Sequence, residues 1–305
     1  MRVLVTGCSG MIGSRVFNQL IEQNHIVAGL DNLSSGWMGF LNQKGRFFNA
    51  DIRSLNNLKQ IFNIFMPEVV IHLAAVHHIP TCEKVRQYAL DVNILGTENI
   101  LECIKTNQCK KVIIASSGAV YDWKDGMLSE DDNTSPCDNY SISKLTNEFQ
   151  LKIFSKLNPN IQCCVLRLFN AIAFDDPNAH LIPDIMNQIS KKNKTQNISL
   201  GNIKTIRDYS HAEDIAKAIV SIASTPKIKE FTYNVCSSFG YTAEDIINVI
   251  SKIWDLKINI NLDKQRLRKV DRPSQVGENK RLINDFPNIK FMSLEKSIEE
   301  ILKNY

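Results

Sequence analysis

The chain has 305 residues, 44% hydrophobic and 22% charged, an ordinary globular composition long enough for one large domain or two modest ones. Its formal charge of +4 (36 − 32) is too small and dispersed to argue for nucleic acid, and the one basic cluster, Lys191-Lys192-Asn193-Lys194, reads as a solvated helix end. No run of 18 apolar residues offers a membrane span, and "MRVLVTG" is already a strand entering a turn rather than a secretion signal, so a cytoplasmic location is expected.

From the N-terminus, "RVLVT" (2–6) predicts a strand and Met11–Gln23 a helix, with Ile12, Val16, Leu20 and Ile21 at helical spacing. "HIVAGL" (25–30) and "RFFNA" (46–50) predict two more strands, Leu55–Phe65 a helix, and "EVVIHLA" (68–74) a fourth strand. A long helix is expected over about Cys82–Thr106. The strand "KKVIIAS" (110–116), a polar loop, the helix carrying "YSISK" (140–144) and the strand "IQCCVLRLF" (161–169) follow. Strands without polar alternation, separated by helices, indicate a parallel sheet covered on both faces. That is the doubly wound α/β, or Rossmann, architecture. From about Asn170 the pattern becomes irregular. Helices are expected near Ile182–Ser190, His211–Ala223, Thr242–Ile253 and Leu294–Asn304, with Thr242 and Asp245 resembling a capped start. "FTYNVC" (231–236) reads as one more buried strand. The expected division is a sheet domain of 1–169 plus about 207–236, interleaved with a smaller lobe of about 170–206 plus 237–305.

The eight cysteines stand at 8, 82, 103, 109, 137, 163, 164 and 236, with no C-x-x-C pair. They read as reduced small hydrophobes, with Cys163 and Cys164 on opposite faces of one strand, and no metal site is expected.

Gly7, Gly10 and Gly13 follow the first strand and open the first helix. That placement suits a tight turn, a close approach of backbone to pyrophosphate and a helix N-terminus facing the phosphates. Asp31 ends the second strand, 18 residues beyond Gly13 (31 − 13), near the spacing of an acid that holds the adenosine ribose. A carboxylate there repels a 2′-phosphate, which favours NAD over NADP. Asp51-Ile52 would cover the adenine, and "HLAA" (72–75) ends the fourth strand at the sheet's carboxyl edge. Tyr140 and Lys144, four apart on a helix, share one face. Alone they are as consistent with a surface as with a catalytic pair.

Taken together, T-G-x-x-G-x-x-G, Asp31-Asn32, Asp51-Ile52, "HLAA", Asn93 in "VNILGT", Ser116-Ser117 in "SSGAVY" and "YSISK" occur in a familiar order. "LRLFN" (166–170), "IRDYSHAEDIAKA" (206–218), "YNV" (233–235) and Arg272-Pro273 continue it. The sequence resembles the extended short-chain dehydrogenase/reductases that act on nucleotide sugars, and within them most nearly the UDP-sugar 4-epimerases. The resemblance implies that Tyr140 is the base, that Lys144 holds the nicotinamide ribose, and that Ser117 hydrogen-bonds the same sugar oxygen. It implies an NAD site of Gly7, Gly10, Met11, Ile12, Gly13, Asp31, Asn32, Ser35, Gly36, Asp51, Ile52, Leu73, Ala74, Ala75, His77, Asn93, Ser116, Tyr140, Lys144 and Phe169. Asn170, His180, Leu181, Leu200, Arg207 and Arg272 fall where the family binds the nucleoside diphosphate, and the guanidinium forks of the two arginines match phosphate geometry.

For Tyr140 to act near neutrality its pKa must drop by about 3 units, or ~4 kcal/mol, which nearby positive charge can supply. Family dehydratases carry an Asp-Glu pair where this chain has Gly118-Ala119, which disfavours elimination of water. Three further departures are Asp122 after Tyr121, "AIAFDDP" (171–177) in place of a glycine-rich turn, and His77-His78 where related epimerases hold a lysine. The reaction expected is 4-epimerisation of a nucleotide-activated hexose (UDP-glucose/galactose or the N-acetyl form) through a 4-keto intermediate. The alternatives are a nucleotide-sugar oxidoreductase with net hydride transfer (a dehydrogenase or 4-ketoreductase) and a catalytically silent cofactor-sensing module. Asn279 aligns with a position that excludes N-acetyl groups in some epimerases. A homodimer through the YSISK helix, using Ile142, Leu145, Phe149 and Ile153, is also implied.

Overall fold

A computed structural model of the chain describes residues 1–178, 180–190, 193–266 and 272–305. Lys191 and Lys192 of the basic cluster lie outside them.

In chain order the first half comprises β1 (Arg2–Thr6), α1 (Met11–Glu22), β2 (Ile26–Asp31), β3 (Arg46–Asn49), α2 (Leu55–Phe65) and β4 (Val69–His72). Then come α3 (Ile79–Lys84), α4 (Arg86–Leu90), a π-helical turn (Asp91–Leu95), α5 (Gly96–Lys105), β5 (Lys111–Ser117), α6 (Asn139–Leu157) and β6 (Gln162–Leu168). The second half has β7 (Asn170–Ile172), α7 (Leu181–Gln188), β8 (Thr195–Leu200), β9 (Ile206–His211), α8 (Ala212–Ser224) and β10 (Thr232–Val235). It closes with β11 (Gly240–Tyr241), α9 (Ala243–Trp254), β12 (Lys257–Leu262), β13 (Ser274–Gln275), α10 (Lys280–Asp285) and α11 (Leu294–Leu302).

The main sheet has seven parallel strands in the order β10-β6-β5-β4-β1-β2-β3. Alternate residues feed two cores: Val3, Val5, Ile71 and Ile113 enter one, Leu4, Val70, Val112 and Ile114 the other. Cys164 joins the first and Cys163 packs against the second, so the neighbouring thiols point to opposite faces. The sheet reverses direction of growth between β1 and β4. Ligand crevices in open α/β sheets form at such a switch point, beyond the strands' carboxyl ends.

A third core of Ile182, Ile185, Ile198, Ile246, Ile250 and Ile298 builds the smaller lobe. A separate small sheet (β11-β9-β13, with β7 on β9) and the β8–β12 pair flank it. β9 belongs to the small sheet, and α8, which follows it, packs on α1.

Three expectations about local structure change. The helix foreseen over Cys82–Thr106 starts at Ile79, breaks at Val85 and passes through the π turn before α5. In that turn the Asn93 carbonyl accepts from Thr97 Oγ1 (2.6 Å) and from Asn147 Nδ2 of α6 (2.8 Å). Asn193-Lys194 lies beyond the end of α7 at Gln188, so it is not a helix end. On α6, Leu145 packs inward on Val120, Tyr121 and Phe169, whereas Ile142, Phe149 and Ile153 are exposed. The Thr242 capping box is present: Asp245 N donates to Thr242 Oγ1 (3.2 Å) and Thr242 N to Asp245 Oδ2 (2.7 Å). Among the described residues no helix is long and apolar enough to cross a membrane.

Candidate active site

A cavity of about 700 Å³ opens at the switch point and runs from the β1–α1 turn to the small lobe. Its floor is backbone. Gly7 has φ +71°, and a Cβ added there would lie 2.7 Å from Ala74 N; one added at Gly13 would lie 1.9 Å from Gly7 O. Turn and helix are thus in contact through bare main chain, and Gly7, Gly10, Met11, Ile12 and Gly13 line the space. This is the cradle a dinucleotide pyrophosphate requires at a helix N-terminus. At the end of β2, Asp31 also faces the cavity, its carboxylate accepting from Ser9 N (3.0 Å) and Leu33 N (2.8 Å). Asn32 Nδ2 donates to Asp51 (3.1 Å), whose carboxyl is held down at about 2, chiefly by its hydrogen bond from Arg53.

The expected residues converge with one exception. Ser35, Gly36, Ile52, Leu73, Ala74, Ala75, His77, Ser116, Ser117, Tyr140, Lys144, Phe169, Asn170, His180, Leu181, Leu200, Arg207 and Arg272 all line the same cavity. Asn93 does not. It is buried behind the wall, where its side chain accepts from Val76 N (2.8 Å) and donates to Val76 O (3.0 Å) and Ser143 Oγ (2.9 Å). It supports the β4 edge instead of touching a ligand directly. Asn279 is likewise outside the lining, with its amide donating to Cys236 O (2.8 Å).

Tyr140 and Lys144 are placed by the first turns of α6, whose start is fixed by a capping box in which Asp138 accepts from Ser141 N (2.7 Å). The Lys144 ammonium lies 6.0 Å from the Tyr140 ring centre and donates to Ala115 O (2.8 Å). Burial pulls Lys144 down to about 8. Burial also pushes the Tyr140 phenol up to about 12, opposed by its hydrogen bond with Ser117. The protein's own groups therefore do not produce the lowered phenol that the sequence argument required. Desolvation outweighs the Ser117 hydrogen bond. Behind the wall, Ser116 Oγ donates to Glu148, one helical turn past Lys144, and Glu148 is clamped by Arg167 (2.9 and 2.7 Å). This pair fixes α6 against β5 and β6.

At the small-lobe end, Arg207 Nη1 donates to the Arg272 carbonyl (2.9 Å) and Arg272 Nη2 to Ala119 O (3.1 Å). Arg272 is buried, and its Nη1 has no hydrogen-bond partner among the described residues. Three imidazoles gather opposite: His180 lies 6.1 Å from His77 and 5.6 Å from His78, ring to ring. His77 is exposed at the cavity mouth and is contacted there by Asn178 (3.0 Å). Sequence reasoning missed Asp176, Cys137 and Gln275, which also line the cavity. The anomalous "FDDP" was the one signal that pointed at Asp176.

The chain matches the family described as the NAD dependent epimerase/dehydratase family over residues 3–236. It is 35% identical over 221 residues to a putative UDP-glucose 4-epimerase of Methanocaldococcus jannaschii, covering 71% of each chain. It is 27% identical to the GDP-6-deoxy-D-talose 4-dehydrogenase of Aggregatibacter actinomycetemcomitans, covering 100% of this chain and 98% of that one. Its fold superposes with a TM-score of 0.88 on the Thermus thermophilus UDP-glucose 4-epimerase solved in complex with NAD, at 23% identity and 100% coverage of both chains. A glycine cradle with an acid closing β2, a Ser-Tyr-Lys set on β5 and α6, and a match spanning the whole sheet domain lead to one conclusion: the chain belongs to the NAD dependent epimerase/dehydratase family and is an NAD-dependent enzyme of it.

Proposed function

We propose that the protein is a 4-epimerase of a nucleotide-activated hexose, UDP-glucose/galactose or the N-acetyl form, working through a 4-keto sugar. The observation that carries this reading is that Ser117, Tyr140 and Lys144 line one cavity together with Arg207 and Arg272. Guanidinium groups in that wall suit a diphosphate.

The Gly7–Gly13 turn would hold the cofactor, with Asp31 toward the adenosine ribose and Lys144 toward the nicotinamide ribose. When bound, NAD would supply the hydride acceptor, returning the hydride to the sugar, and a positive charge. Tyr140 takes the C4 hydroxyl proton, and Ser117 holds the phenol and the same sugar oxygen. Tyr140 then returns the proton after the sugar has turned. Because burial raises the phenol, its base form is favoured by added positive charge. Gly118 and Ala119 supply no acid for dehydration.

A second reading, net oxidation or reduction of a nucleotide sugar, is favoured by the full-length match to a 4-dehydrogenase. One assay separates the two. The NAD-loaded protein is given UDP-, GDP-, CDP- and dTDP-hexoses. Interconversion of C4 epimers without net change at 340 nm supports the epimerase, while stoichiometric NADH selects the oxidoreductase. Failure of every sugar to react overturns both and leaves the silent module. The exposed Ile142, Phe149, Ile153 and Leu157 on α6 support a homodimer through that helix, which sedimentation of wild type against Phe149→Glu tests.

A further inference from the structure

The segment after β7, "FDDPN" (174–178), stands where the sequence departs from a glycine-rich turn, and it is pinned residue by residue. Asp175 takes a two-pronged ion pair from Arg15 of the cofactor helix (2.9 and 2.9 Å), and both side chains are buried. Arg15 also donates to Met11 O (2.6 Å), pairs with Glu213 of α8 (3.0 Å) and lies 5.9 Å over the Phe174 ring. Asn178 contacts His77 Nε2 (3.0 Å). Asp176, its side chain 3% exposed, lies 2.7 Å from His180 Nδ1.

That last contact has a chemical consequence. A carboxylate only accepts, so the shared hydrogen sits on His180 Nδ1 and Nε2 is left for whatever enters the cavity. We infer that Asp176 is a positioning residue for the substrate: it fixes the tautomer and ring orientation of His180 against the nucleotide sugar, and Arg15, through Asp175, locks the turn that carries it to the cofactor helix. The inference rests on the nucleotide-sugar reading and deepens it, because it makes the departure from glycine the source of a shaped sugar end. The same turn also touches His77 through Asn178, but that partner is an amide on Nε2 and does not fix a tautomer as the Asp176 carboxylate does.

Asp176→Asn tests it at nearly constant volume. An amide donates as well as accepts, so the tautomer is released while the contact survives. UDP-glucose and GDP-mannose are titrated into NAD-loaded wild type and variant. The Kd of whichever sugar binds is expected to rise about tenfold, with NAD affinity unchanged and kcat within about twofold. Spectra of protein labelled with 15N-histidine at pH 8.5 are expected to show one wild-type ring as Nδ1–H that becomes a tautomer mixture in the variant. Asp175→Asn, which weakens the lock without touching the imidazole, is expected to raise the same Kd by a smaller factor. Wild type that binds neither of these sugars, nor UDP-galactose or the UDP-N-acetylhexosamines, overturns the nucleotide-sugar reading and this inference together. Wild type that binds while Asp176→Asn binds equally well overturns the inference alone. So does a variant that loses NAD and sugar in parallel, since that marks a merely structural aspartate; if Asp176→Asn fails to fold, an unchanged Kd in Asp175→Asn overturns it.

Discussion

The two ends of the cavity are built by different means. At the sheet end the lining is main chain, made by the β1–α1 turn where Gly13 and Gly7 touch, and one carboxylate, Asp31, closes it; this is the proposed cofactor end. At the small-lobe end, the proposed sugar end, the lining is side chain: Arg207, Arg272, His77, His180 and Asp176 reach in from loops and short strands. Main-chain recognition tolerates almost no substitution at the few positions it uses and is indifferent to the rest. Side-chain recognition is adjustable residue by residue, and each change costs less. One fold can thereby keep its cofactor while its substrate changes.

The contrast can be broken or sharpened in order of effect. The largest loss belongs to neither end but to the group between them. Tyr140→Phe is expected to lower kcat by about 10³-fold while NAD still binds, measured by turnover and by NAD titration. Next, Gly13→Ala puts a methyl on the Gly7 carbonyl, and NAD affinity is expected to fall about 100-fold. Retained affinity would show that the turn can shift and that the cradle is less rigid than its contacts indicate.

Lys144→Met sets function against stability. The folded lysine titrates near 8 and the unfolded one near ~10.4. Because the folded value is the lower, the unfolded chain binds the extra proton between them. The cost is therefore borne in full below about pH 8 and relieved as pH rises toward ~10.4. Activity should vanish, while the variant gains about 2 kcal/mol at pH 7 after allowing for the lost bond to Ala115 O, and loses the wild type's rise in stability across pH 8–10. Chemical denaturation at pH 7 and pH 10 reads both.

At the sugar end Arg272→Met should raise the substrate KM about tenfold with NAD affinity untouched. An equal fall in NAD affinity would merge the two ends. Smallest, Asp31→Asn should narrow the preference for NAD over NADP by a few-fold, since the amide oxygen keeps only one of the two backbone bonds that the separate carboxylate oxygens accept from Ser9 and Leu33.

The same contrast explains what could be read in the sequence. Glycine spacing, an acid at a strand end and unbroken apolar strands are local consequences of main-chain geometry, and they located the sheet, the turn, Asp31 and α6 before any coordinates. Asn93 was recognisable as special but not as a brace, because its partners, Val76 and Ser143, are 17 and 50 residues away. Asp175 and Arg15 are 160 residues apart along the chain and meet through a turn whose sequence signalled only that the usual glycines were missing. Tyr140 shows the remaining limit. Residue identity gave its place, and only burial revealed that its surroundings oppose ionisation.

The π turn at Asp91–Leu95 is, in sequence terms, an inserted residue. It advances everything after it by about 100° of helical phase, and α5 is rotated accordingly relative to α4. The surplus is what frees the Asn93 carbonyl to receive Asn147 from α6, three residues beyond Lys144. A one-residue deletion here would yield a more regular helix and a worse enzyme. An alignment that treats the insertion as noise would put a gap where the protein keeps the spacer that seats its catalytic helix.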